Sequence, residues 1–319
     1  MSNLKIFVVC VAIWGTTWIA ITFQLGSVAP EASVSYRFLF ASLLVFGYSL
    51  TRRLPLRFAY REHAWVALFG VLMFSVSYIF VYYAEQQVVS GLVAIGYSAS
   101  PLLGMLGLWV FFRTPITLPV ALGAVLGIVG IAIVFFPEFG NAKEGGNSAW
   151  GAAFTVLAVG ASMFGSMVAH RNQQARLPFW QTLAWGMFYG AMFSLVVTLA
   201  SGKKLGFEFT AEYVLSLAYL AVFGSVIAFA GFLTLLGRVG AARAGYVGVM
   251  VPIMALVISA AFEEFHWHAL TWTGVAVSVL GNVVILRARR HPSDKLGARI
   301  PVTSNNQRLS RAERIRLRR

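Results

Sequence analysis

The sequence predicts an all-α membrane protein, ten transmembrane helices built as two inverted-topology five-helix repeats. Three observations predict it. The 319-residue chain is 59% hydrophobic and 11% charged, its apolar runs are long, and its basic residues fall in alternate connections. A soluble domain carries roughly 25% charge because its surface faces water. A chain this poor in charge needs lipid as its solvent.

A helix rises 1.5 Å per residue, so about 20 residues cross a hydrocarbon layer roughly 30 Å thick. Runs of this kind cover residues 5–24, 32–50, 64–84, 88–112 and 118–136, then 149–169, 179–200, 213–236, 241–262 and 270–286. None alternates with period two, which argues against a β-barrel. The first run carries almost no charge before it and no small-residue cleavage site after it, so it reads as a retained helix rather than a signal peptide. The predicted organisation is a first repeat over 1–137, an extracytoplasmic linker over 138–148, a second repeat over 149–288 and a basic cytoplasmic tail over 289–319.

The connections test the count. With the N-terminus inside, the inward loops hold Arg52, Arg53, Arg57, Arg61, Arg113, Arg171, Arg176, Arg238 and Arg243, while the outward loops hold only Lys143, Lys203 and Lys204. That asymmetry is the positive-inside pattern, and both termini then face the cytoplasm of a multi-pass protein of the cell inner membrane. The net charge of +14 therefore sets orientation and gives no reason to expect a nucleic-acid partner. The tail from Pro292 reads as a disordered, positively charged extension that reinforces it.

A shift of 151 residues places Pro101 on Pro252, Gly123 on Gly274 and Gly130 on Gly281. Five spans is an odd number, so the second half enters from the opposite face, as in many secondary transporters. Pro101 and Pro252 each remove a helical hydrogen bond, which makes them gating or hinge candidates.

The segment Trp14-Gly15-Thr16-Thr17-Trp18-Ile19-Ala20, then Ala29-Pro30-Glu31, Tyr36-Arg37-Phe38 and Ala84-Glu85-Gln86, resembles the drug/metabolite transporter superfamily, specifically its EamA-type family. The resemblance spans roughly residues 5–288. It implies a ten-helix carrier with a central cavity that exports small metabolites, amino acids first among them. One departure is Arg113-Thr114-Pro115, where many relatives carry an acid before the proline; the second half has Glu263-Glu264-Phe265-His266 there and lacks the proline.

Ionisable residues are scarce within the spans, so the substrate is expected to be held by rings and hydroxyls. The candidates are Trp14, Thr17, Trp18, Tyr78, Tyr82, Tyr97, Ser98, Ser162, Ser166 and Tyr246. Trp14 and Trp18, like Tyr78 and Tyr82, are four apart and share a helix face. Such a lining suits a small zwitterion with an apolar side chain. Arg37 and Glu85 form a candidate charge pair. Arg37 reads chiefly as snorkelling to outer headgroups, with attraction of a substrate carboxylate as the functional reading.

A phosphorylated-sugar or nucleotide-sugar carrier is the transport alternative, but it needs several buried cations where only Arg37 lies well inside a span. A membrane enzyme needs acids, histidines or a metal cluster at one depth, and the spans supply none. Neither a cofactor nor a metal is expected. Cys10 is the single cysteine, and no nucleotide-binding motif occurs. The expected partners are a small-molecule substrate and the bilayer, with the chain a monomer.

Overall fold

Local chemistry sets the helix starts. The Asn147 side chain accepts from the N–H groups of Ala149 and Trp150, Thr210 from Tyr213 and Ser2 from Lys5. Each satisfies a donor that the first turn leaves without an intrahelical acceptor. Pro30 opens the second helix, where no N–H is needed.

The computed structural model describes residues 1–100, 103, 106, 107, 109, 110, 113, 116–137, 147–239, 241–263 and 268–288. Among them every regular element is helical. The helices are α1 (Asn3–Thr22), α2 (Pro30–Thr51), α3 (Tyr60–Glu85), α4 (Ser90–Ala99), α5 (Leu118–Phe135), α6 (Ser148–Gln174), α7 (Phe179–Ala200), α8 (Ala211–Val239), α9 (Tyr246–Phe262) and α10 (Ala269–Ala288).

Eight of these are long and apolar enough to cross a membrane, and the chain is a multi-pass membrane protein. Among the described residues, eight of the ten expected spans are met at full length. The two apolar helices that are shorter over the described residues are α4 and α9, the fourth member of each half, and α4 ends beside residues outside that set. The ninth run was expected to be continuous from residue 241. It is divided into a single turn, Ala241–Ala244, and α9, with Gly245 between them. Glycine holds a helix poorly, which makes this the natural place to divide it. Pro101, the predicted partner of Pro252, lies outside the described residues.

Contacts at the helix ends give the direction of each element. The Tyr82 hydroxyl near the end of α3 donates to Gln24 just after α1, and Asn147 before α6 donates its N–H to Gln87 just after α3. The end of α1 and the start of α6 therefore share one end of the bundle, so the two halves run in opposite senses. Equivalent helices of the halves pack on each other: α2 on α7, α4 on α9 and, most extensively, α5 on α10.

Two further features repeat across the halves or mark one end. Helix α3 contains a wide π-type turn over Leu72–Val76, and α8 contains one over Leu220–Ile227. Adding 151 to 72–76 gives 223–227, inside the second turn. Arg53, Arg113 and Arg176 have φ of 53°, 52° and 56°, in the left-handed region. Arg53 follows α2 and Arg176 follows α6, at the end of the bundle where the sequence concentrates its arginines. At the opposite end the same cap position after α7 is Gly202, with φ 67°. Glycine takes this conformation freely, whereas an arginine there is strained.

Candidate functional site

The faces that α1, α3, α4, α8 and α9 turn toward one another line a partly open cavity of about 250 Å³. Helix α1 contributes Trp14, Thr17, Trp18 and Ile21, spaced three and four apart on one face. Helix α3 adds Tyr78 and Val81, α4 adds Ala94 and Tyr97, α8 adds Phe229, and α9 adds Gly248, Val251 and Pro252; Ser100 completes the wall. Among the described residues no acid, base or histidine lines it.

Polar atoms hold the rings in place. Trp14 donates its indole N–H to the Gly224 carbonyl at 3.0 Å and meets Phe229 edge-on at 5.3 Å. Trp18 meets Tyr97 edge-on at 5.1 Å, and the Tyr97 hydroxyl lies 2.6 Å from that of Ser77. The Thr17 hydroxyl is turned back onto the Trp14 carbonyl at 2.7 Å. Each bond satisfies a group that would be costly to bury alone and leaves an aromatic face toward the space.

The structure brings Trp14, Thr17, Trp18, Tyr78, Tyr97 and Pro252 of the sequence candidates to this cavity. It does not bring Tyr82, Ser98, Ser162, Ser166 or Tyr246 there. Tyr82 is fully buried and spends its hydroxyl on Gln24 at 2.6 Å. The Ser98 carbonyl accepts from Asn282 of α10 at 3.3 Å, on the far side of α4. Ser162 faces Met73 with its hydroxyl 3.7 Å from the sulfur. Ser166 and Tyr246 are half-buried away from the cavity. In a span apolar on every side, spacing alone does not say which face meets protein and which meets lipid. Sequence reasoning passed over Ile21, Val81, Ala94, Phe229, Gly248 and Val251 because nothing local separates them from lipid-facing residues.

Arg37 does not snorkel. It is 2% exposed, and its guanidinium carbon lies 4.5 Å from the Tyr78 ring centre and 5.1 Å from that of Phe38. Its Nε donates to Ser225 Oγ at 3.5 Å. Glu85, the other member of the candidate charge pair, is 1% exposed. Tyr82 is coupled electrostatically to both Arg37 and Glu85. An exposed arginine would have headgroups for partners, whereas this one is packed between helices of both halves and uses ring faces and a hydroxyl instead.

The halves are also tied at their ends. Lys203, in the connection after α7, donates to both Glu31 oxygens at 3.0 and 3.1 Å and to the Tyr83 hydroxyl at 2.6 Å. Partial burial opposes charge on the Lys203 amine, but the bonds to Tyr83 and Glu31 prevail and hold it above the ordinary lysine value. Glu263 at the end of α9 accepts from the Ser90 N–H at 3.0 Å and from the Ser90 and Ser259 hydroxyls, capping the start of α4. At the opposite end Arg171 makes a two-pronged bond to Glu62 and stacks on Trp65 at 4.8 Å. His170 bonds Gln174 at 3.1 Å beside it.

Comparison with known proteins agrees with this architecture. The EamA-like transporter family matches residues 2–136 and again residues 149–287. A relative from Escherichia coli (strain K12), the uncharacterized inner membrane transporter YedA, is 27% identical over 286 residues, covering 86% of this chain and 87% of its own. An uncharacterized transporter of Archaeoglobus fulgidus is 22% identical over 299 residues, covering 91% and 100%. One solved crystal structure superposes with a TM-score of 0.65 at 18% identity, covering 91% of this chain and 98% of that one, which supports the fold. With family matches over both of its halves, the chain is a membrane transporter and belongs to the EamA-like transporter family.

Proposed function

We propose that this protein carries small neutral metabolites out of the cytoplasm by alternating access, with apolar and aromatic amino acids as its first substrates. In this reading α4 and α9 join the eight longer helices as spans, giving ten, with both termini inside. The cavity lining carries the reading: aromatic faces and hydroxyls with no ionisable side chain among the described residues. Rings contact an apolar side chain and hydroxyls serve a polar end, while a fixed charge in the wall would favour ionic cargo.

The packing supports the mechanism. The cavity lies between elements of both halves, and the contacts that close the ends of the bundle also join one half to the other. Rocking the halves would break Glu263–Ser90 and Lys203–Glu31 to open one end, or Arg171–Glu62 to open the other, exposing the same rings to each side in turn. The test is flux in proteoliposomes of purified protein loaded with labelled neutral amino acids. Saturable, protein-dependent efflux of apolar or aromatic members is expected. No flux across a broad amino-acid panel rejects the substrate assignment.

A further inference from the structure

We propose that Arg37 and Gln24 form an anion subsite beside the aromatic cavity, and that it takes the carboxylate of an amino-acid substrate whose side chain lies among the rings. The inference rests on the transport reading above and names which part of the substrate goes where.

Two buried donors carry it. Among the described residues Arg37 Nη1 has no hydrogen-bond acceptor although the residue is 2% exposed, and Gln24 Nε2 has none although that residue is 1% exposed. Buried donors are almost always paired, and a guanidinium nitrogen left over is among the costlier exceptions. Both groups are held in place by their other atoms. Gln24 Oε1 accepts from Tyr82 at 2.6 Å, which turns the amide nitrogen away from that hydroxyl. Arg37 Nε is held by Ser225, whose hydroxyl donates in turn to the Leu220 carbonyl at 3.0 Å within the wide turn of α8. Arg37 stacks on Tyr78 and Gln24 bonds Tyr82 four residues on, so both donors lie against one face of α3.

The cluster adjoins the cavity. Tyr78, on whose ring the guanidinium stacks, is a cavity residue, and Tyr82 follows it by one helical turn. Gly224 closes the gap on the other side. A Cβ built there would stand 2.7 Å from Thr17 Cγ2, in the cavity wall, and 3.6 Å from Arg37 Nη2. Glycine at 224 lets the Thr17 methyl in the cavity wall and the Arg37 guanidinium pack against the same turn of α8. A π-type turn is a rare use of a helix and recurs at functional sites; this one brings both Gly224 and Ser225 to Arg37. A planar carboxylate can accept from both of these N–H donors, and its apolar remainder then extends past Tyr78 into the rings.

The test uses the full chain in proteoliposomes with two probe sets: labelled phenylalanine, leucine and valine, and the amines that lack only their carboxylates. Wild-type protein is expected to prefer each acid over its amine by at least about tenfold in kcat/KM. Arg37→Gln and Gln24→Glu are expected to bring that ratio close to one, mainly by slowing acid flux. Gln24→Glu keeps the acceptor for Tyr82 and replaces the amide nitrogen with an oxygen that repels a carboxylate, so it decides the matter if Arg37→Gln does not insert. Flux of both sets at an unchanged ratio in the inserted variants overturns the subsite while leaving transport standing. No flux of either set by wild-type protein overturns both.

Discussion

Gly123 of α5 meets Gly281 of α10 so closely that a Cβ on Gly123 would stand 2.7 Å from the Gly281 carbonyl oxygen. The crosswise pair repeats the contact: a Cβ on Gly130 would stand 2.6 Å from the Gly274 carbonyl oxygen. Since 123 and 274, like 130 and 281, are 151 apart, each pair is the other's image under exchange of the halves. Without a hydrophobic drive between helices in lipid, close backbone approach is what holds them, and only glycine permits it.

Gly130→Ala is therefore expected to destabilise the protein by about 1–3 kcal/mol, the usual range for an overpacked interface. At Gly47, in the exposed face of α2, a Cβ would meet nothing within 4 Å. Gly47→Ala should be neutral or slightly stabilising, since alanine holds a helix better. Thermal unfolding of both variants in detergent checks the pair; equal midpoints would count against the glycine contact.

Trp18→Ala removes the ring that meets Tyr97 and opens the cavity. It is expected to raise KM about tenfold with membrane insertion intact, whereas Tyr97→Phe, which loses only the bond to Ser77, costs a few-fold at most. Initial rates of flux over a range of substrate concentration separate the two. Unchanged kinetics in Trp18→Ala would remove this cavity from the transport path.

Glu263→Gln replaces a carboxylate that caps α4 across the halves with a weaker, neutral acceptor. The end of the bundle closed by Glu263 and Ser90 should then open more often. Cys10 is buried, so its thiol gives little background. A cysteine introduced at Ile21, in the cavity wall, is expected to react several-fold faster with a polar thiol reagent in Glu263→Gln than in its parent. Equal labelling rates would mean that this contact does not hold the cavity shut.

Arg176→Gly removes a left-handed arginine, whose φ of 56° glycine adopts without strain. A gain of about 1 kcal/mol is expected, close to the ordinary cost of this conformation. The same change at Arg53 should act alike, and thermal midpoints of the two variants test it. Cysteines at residues 57 and 176 should be labelled from one side of the bilayer, the side inferred to be cytoplasmic.

Membrane class, helix-rich architecture and the relation between the halves were legible in the residues, because run length, charge spacing and a fixed offset are read along a line. The apolar length of a run decides that it enters lipid whatever its neighbours do. The offset of 151 found the glycines that meet between α5 and α10. The faces were not legible. In a soluble helix a polar stripe marks the side that meets water, but a helix surrounded by lipid and protein is apolar all round. Trp18 and Phe164 look alike in sequence, yet one lines the cavity and the other is 45% exposed on the outside of the bundle. Arg37 makes the same point for charge. Its position near a helix start suggested headgroups, and only the approach of Tyr78 from its own half and Ser225 from the other drew it into the interior. Solvent preference is a property of each segment, whereas enclosure exists only once helices distant in the chain stand side by side.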